Sequence, residues 1–175
     1  MGCRKAMTAG LAVVLFAFGA TAVHGEEFAP PVSVPPDGGE LRPWEAEALR
    51  TMEIPSADAV GVPAYPGARV VQVMPGGEMS FNDETTRYNP SIKLLSLDSE
   101  EDVAAFYREA LAGEGWNSDT IMGMTWFWQG DRAFDPLDVA AVGLIPAIGI
   151  MEPGPMGRMM PGAQSLIEIR YSPQP

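Results

Sequence analysis

Residues 97–111, LDSEEDVAAFYREAL, decide the fold. Val103, Phe106, Tyr107, Ala110 and Leu111 recur at helical spacing, so a single apolar stripe runs down a helix from Ser99 to about Ala112. Ser99 with Asp102 three residues later makes a capping-box-like start, and Glu100, Glu101 and Asp102 set negative charge at the positive end of the helix dipole. Gly113 and Gly115 stop the helix. A helix with one apolar stripe has to be covered, and the flanking sequence supplies strands to cover it.

Upstream, VPAYPGARVVQVM (62–74) is a proline-turned lead-in, with Pro63, Pro66 and Gly67, followed by a strand from Arg69 to Met74. A Pro75-Gly76-Gly77 break and a polar loop through Asn89-Pro90 come next. Ile92 to Leu97 is a second strand, apolar in both phases and so covered on both faces. Downstream, Trp116 reopens the extended chain, and Thr120 to Gln129 reads as one strand. Met122, Met124, Trp126 and Trp128 share one of its faces; Ile121, Thr125 and Phe127 share the other. The Trp126/Trp128 face is expected to lie in the core beneath the helix stripe, rather than to form a stacking platform for sugar rings. The run 139–151 carries no charge and fits a strand or hairpin, too short for the roughly 20 residues of a spanning helix. A Pro/Gly/Met segment, 152–162, loops out, and Leu166 to Tyr171 closes the sheet. The expected fold is α+β: a single antiparallel sheet of about four to five strands packed by one main helix, in the order β-β-α-β-(β)-β.

The lead-in VPAYPGA (62–68), the stretch LDSEEDVAAFYREAL (97–111) and Gly115-Trp116 resemble a group of small exported bacterial proteins. Those proteins carry a P-x-Y-P-G-A lead-in and a D-S-x-E-E-V-x-x-F-Y-x-x-x-L…G-W helix signature. The resemblance covers residues 62–116, and its motifs are turn prolines, a capped helix and an apolar stripe. It implies this fold and export, and it transfers no catalytic residue.

The amino terminus reads as an export signal over residues 1–25. Arg4 and Lys5 form a charged start, Leu11 to Phe18 an apolar centre, and either Ala22 or Gly25 a small-residue cleavage point. The expected location is the periplasm or the exterior. Residues 26–61 read as a Pro-rich linker carrying a short amphipathic helix, with Trp44, Ala48, Leu49 and Met52 on one face, and residues 62–175 as a single domain. Of 175 residues, 23 are Asp or Glu and 11 are Lys or Arg, a net charge of −12. Cleavage after Gly25 removes two basic residues and no acidic one, leaving 9 against 23, a charge of −14. It also removes Cys3 and His24, the only cysteine and the only histidine. A Ser-His-Asp triad, a Cys-His pair, a His/Cys zinc site and a disulfide framework all need residues the mature chain would lack. Nucleic acid needs clustered Lys/Arg, and the mature chain would have Lys93 as its one lysine.

These exclusions favour a non-enzymatic, exported, envelope-associated binding module. Its expected contact surface is the charge-free segment, represented by Val142, Leu144, Ile145, Ile148 and Ile150, with Trp44 on the short helix as a second contact. If that segment is exposed it is an interaction patch; if buried, it is another strand. Two other readings stand beside this one. Met151, Met156, Met159 and Met160 in MEPGPMGRMM offer soft thioether ligands suited to Cu(I), against the ordinary role of methionine as a filler of apolar gaps. A hydrolase working with carboxylates alone has ample acid to draw on, although Asp98, Glu100, Glu101 and Asp102 are accounted for by helix capping.

Overall fold

The computed structural model describes residues 27–30, 41, 43–81, 84–131, 134–136 and 145–172. In chain order its elements are α1 (Pro43–Thr51), α2 (Ala57–Val60), β1 (Arg69–Met74), β2 (Gly77–Phe81), β3 (Glu84–Tyr88), β4 (Ser91–Ser96), α3 (Glu100–Ala110), β5 (Trp116–Ile121), β6 (Met124–Gln129), β7 (Ala147–Met151), a 3-10 helix (Gly154–Met159) and β8 (Ser165–Arg170).

The helix of residues 97–111 forms as its sequence dictates. Ser99 Oγ accepts from the Asp102 N–H at 3.2 Å and donates to Asp102 Oδ2 at 2.6 Å, which satisfies a backbone donor that the first turn leaves open. Val103, Ala104 and Tyr107 are buried along its inner face. The two halves of the 62–111 motif are one physical unit. Tyr107 donates its hydroxyl to the Pro63 carbonyl at 3.3 Å, Tyr65 donates to Asp98 Oδ2 at 3.0 Å, and the Tyr65 and Phe106 rings meet edge-on at 5.1 Å. Burial, reinforced by the Asp98 hydrogen bond and charge, pushes the Tyr65 hydroxyl up to about 12.

Six strands form one sheet in the order β1-β4-β8-β7-β6-β5, every neighbouring pair antiparallel. β2 and β3 form a separate two-stranded sheet. Because β4 lies near one edge and β5 is the other edge, α3 has to cross the sheet between them, and it packs on β7 and β8 as it does so. The core beneath it is built in cross-strand rows. Ile92, Ile169, Ile148 and Phe127 lie side by side in one row, and Leu94, Ile167 and Ile150 in the next. These isoleucines and Leu94 are 0% exposed. Burying each stabilises the fold by roughly 1.5–3 kcal/mol.

The sheet is larger than the expected single sheet of about four to five strands, and a second sheet stands beside it. Two hairpins account for the difference. Thr120 to Gln129 is not one strand: the chain reverses at Met122-Gly123, where φ is 55° and 80°, and β5 pairs back on β6. Positive φ at both central residues is the signature of a tight hairpin turn, and methionine, which disfavours it, hides the turn from a sequence reading. The second hairpin, β2–β3, occupies what reads as a polar loop between Pro75 and Asn89.

The Trp126/Trp128 face is also displaced from its expected place. Phe127 is the residue of β6 that faces α3, meeting Tyr107 at 6.2 Å. Trp126 and Trp128 lie on the opposite face, where Phe134 packs on both, at 5.2 Å and stacked at 5.4 Å. Phe134 and Ala147 complete that cluster, and Leu49, Val71, Leu95, Met159 and Leu166 form another on the far side. The sheet is therefore covered on both faces. Core side chains also come from upstream of Val62: Phe28, Ala57 and Val60 are buried with the α3 cluster.

Candidate functional site

An open groove of about 980 Å³ lies between α1, the 52–55 segment, β1 and the 3-10 helix. Its walls follow from local sequence. Pro43 suits the first turn of α1, whose fixed φ it matches, and Leu49 turns inward to Val71 and Leu95. Pro55 ends the extended stretch before Ser56, whose Oγ caps α2 by accepting from the Ala59 N–H at 3.2 Å. The opposite wall is β1, followed by Pro75. Pro153 and Pro155 tighten the β7–β8 connection into a 3-10 helix that buries Met159.

One side chain pair joins two of these walls. The Arg158 guanidinium grips the Glu45 carboxylate with both terminal nitrogens, the Nη1–Oε2 leg at 3.2 Å, and so ties the 3-10 helix to α1. Glu45 is only 7% exposed, so its carboxylate depends on partners inside the protein. The rest of the lining is mostly apolar: Met52, Ile54, Val71, Val73, Met74 and Met156 face the groove. Gln72 also lines it, and its Oε1 is buried with no hydrogen-bond partner among the described residues. Such an acceptor carries a desolvation cost of about 1–3 kcal/mol until a donor reaches it.

The four methionines singled out in the sequence come together. Met156 and Met159 line the groove, and Met151 and Met160 pack with them and with Met52 in the cluster around Leu49 and Leu95. The charge-free segment divides differently. Val142 and Leu144 lie outside the described residues. Ile145 is half-buried against Trp126 and Ala147, while Ile148 and Ile150 are 0% exposed in the central strand β7. Those two side chains belong to the core, so a partner cannot reach them in the folded chain. Trp44 stands in the first turn of α1, and its side chain lies outside the description.

Nothing in the sequence marks Met52, Ile54, Val71, Gln72 and Met74 as groove residues. Met52 was legible as apolar, but only sheet order reveals that β1 is an edge strand with a groove beside it. Among the described residues no group of three or more Asp, Glu, His or Cys side chains is placed to hold a metal ion. Of the acidic cluster, Asp102 accepts from the Ser99 hydroxyl at the helix cap, whereas Asp98 accepts from Tyr65, a contact that ties the lead-in to the start of the helix. No helix among the described residues is long and apolar enough to cross a membrane.

No protein-family model, no curated protein and no solved structure matches the chain.

Proposed function

We propose that the chain is an exported, non-enzymatic, envelope-associated binding module that takes an apolar ligand into the groove between α1, β1 and the 3-10 helix. The observation that carries this reading is the groove itself: about 980 Å³, walled by Met52, Met74, Met156 and Met159. Methionine is unbranched and polarisable, so a wall built from it adapts to the shape of what it holds. A large apolar pocket with a few polar groups at its margin is the usual form of a ligand site. Export is supported by the charged start and apolar centre of residues 1–25. The test is a Nile red fluorescence titration of the purified chain. Saturable binding of about one dye per chain, lost in Met156→Glu, supports the groove. Non-saturable binding, or binding unchanged in that variant, contradicts it.

A second reading has an observation of its own. Met159 is buried in the cluster with Leu49, Val71, Leu95 and Leu166, and Met52, Met151, Met156 and Met160 pack against that cluster, which gathers the soft thioethers a Cu(I) site would draw on. Titration with Cu(I) against a competing chelator decides it: retention against the chelator, lost when Met156 and Met159 are replaced by Leu, supports copper. Affinity too weak to compete, or unchanged by the replacements, ends that reading.

A further inference from the structure

We infer that the occupant of the groove is an extended polypeptide segment of a partner protein that pairs with the free edge of β1, with apolar side chains at alternate positions and a basic residue near one end. This inference rests on the groove being the binding site. Its first support is the direction of the groove. Val71, Gln72, Val73, Met74 and Pro75, five consecutive residues, line it. Val71 packs with Leu49 and Leu95 on one face of the sheet and Val73 against the α3 cluster on the other, so a hollow that touches both runs along the strand's edge and not over one face.

That edge is open. β1 is the terminal strand of the six-stranded sheet, paired with β4 on one side. Among the described residues no backbone hydrogen bond outside the β1–β4 ladder involves residues 69–74. The bulge between Val70 and Gln72 twists the start of the strand, and the regular stretch Gln72–Met74 remains as the template.

The two edges of the sheet are treated differently. β5, WNSDTI, carries Asp119 and a run of exposed polar side chains, the usual protection against unwanted pairing. β1, RVVQVM, has no charge beyond Arg69. A charge-free, regular stretch of edge from Gln72 to Met74 beside an adaptable apolar wall is what strand addition uses: main-chain hydrogen bonds hold the segment, and the wall receives alternate side chains.

Charge selects among occupants. The chain carries a net −12, and Glu53 stands exposed at the groove. A second copy would bring the same excess of acid to the same edge, whereas a segment with Lys or Arg would meet Glu53.

The experiment is fluorescence anisotropy with a labelled synthetic peptide, Lys followed by alternating Val and Thr, against the purified full chain. Two isomers are compared with it, each N-methylated on the amides of one edge only. Strand addition uses the donors of a single edge, so one isomer is expected to lose at least about tenfold in affinity, the scale of one good hydrogen bond, while the other binds like the parent. Two outcomes overturn strand addition but leave the groove standing: both isomers binding like the parent, or Nile red binding while the parent peptide does not. Loss of both Nile red and peptide binding overturns the groove with it. If sedimentation shows a dimer that the peptide competes away, the second copy is the occupant and the partner proposed here is wrong. Replacing Met74, 41% exposed at the end of β1, with Lys is expected to weaken the peptide about tenfold while leaving the unfolding midpoint unchanged.

Discussion

Arg158 on the 3-10 helix closes on Glu45 of α1, a carboxylate 7% exposed held by a guanidinium 47% exposed, and the contact spans 113 positions of the chain. It links the β7–β8 connection to a helix that precedes the sheet altogether. The pair therefore fixes the distance between two walls of the groove.

From this pairing, Arg158→Ala is expected to lower the denaturant midpoint, because Glu45 keeps its burial and loses the two hydrogen bonds that the guanidinium donates. Glu45→Gln combined with Arg158→Ala is expected to lose less than the two single changes together. A double-mutant cycle by chemical denaturation measures that coupling, and strict additivity would show that the contact does not operate in solution.

Gly149 sits beneath the Trp126 ring, where an added Cβ would meet ring carbons at 2.7 and 2.8 Å. The neighbour is a buried indole, with Arg170 5.5 Å from its ring centre, so it has little freedom to yield. Gly149→Ala is expected to destabilise by about 1–3 kcal/mol, with a change in tryptophan fluorescence of the folded state. A neutral effect on both would mean that Trp126 does not lie over this position.

Ile148 is fully enclosed between the α3 stripe and the neighbouring strands. Ile148→Ala is expected to cost about 2–5 kcal/mol, whereas Met122→Ala, at a turn position 67% exposed, should stay within about 0.5 kcal/mol. Chemical denaturation separates the two. Near-equal small values would return the charge-free segment to the surface.

Stability is expected to fall in alkali. The ordinary tyrosine value is 10, and Tyr65 is raised to about 12 by burial and then by its hydrogen bond to Asp98; Tyr107 is raised further by complete burial. Between those values the unfolded chain releases protons that the folded chain retains. The stability is thus fully present below about pH 10 and drains away as pH rises toward 12. Denaturation midpoints across this range should fall less steeply in Tyr65→Phe than in the parent. Asp98→Asn should bring the Tyr65 titration, followed by ultraviolet absorbance, back toward its ordinary value.

The readable parts of the fold were those whose cause is local. Ser99 and the Val103–Tyr107 stripe specify α3 by capping and periodicity, and the apolar runs at Ile92 and Leu166 specify central strands. The turn at Met122-Gly123 was hidden because its first residue adopts a positive φ that methionine rarely takes. The β2–β3 hairpin was hidden because its sequence, with Pro75, Gly76, Gly77, Asn82, Asp83 and Asn89 around and within it, carries the turn residues of a polar loop. The groove was least legible of all. Met52, Val71 and Met156 are ordinary apolar residues in the sequence, far apart along it, and only the order of strands makes β1 an edge and brings α1 and the 3-10 helix alongside. Charge-free composition pointed instead to Ile148 and Ile150, whose lack of charge reflects burial.

The central claim is that the groove is the binding surface, and methionine methyl NMR tests it most directly. The chain labelled at its methionine methyls is titrated with the Lys/Val/Thr peptide. The account predicts saturating shifts at Met52, Met74, Met156 and Met159, which line the groove, and none at Met122 on the distant β5–β6 turn. Shifts confined to Met122 and Met124, or no saturating shift at the groove methionines, would contradict it.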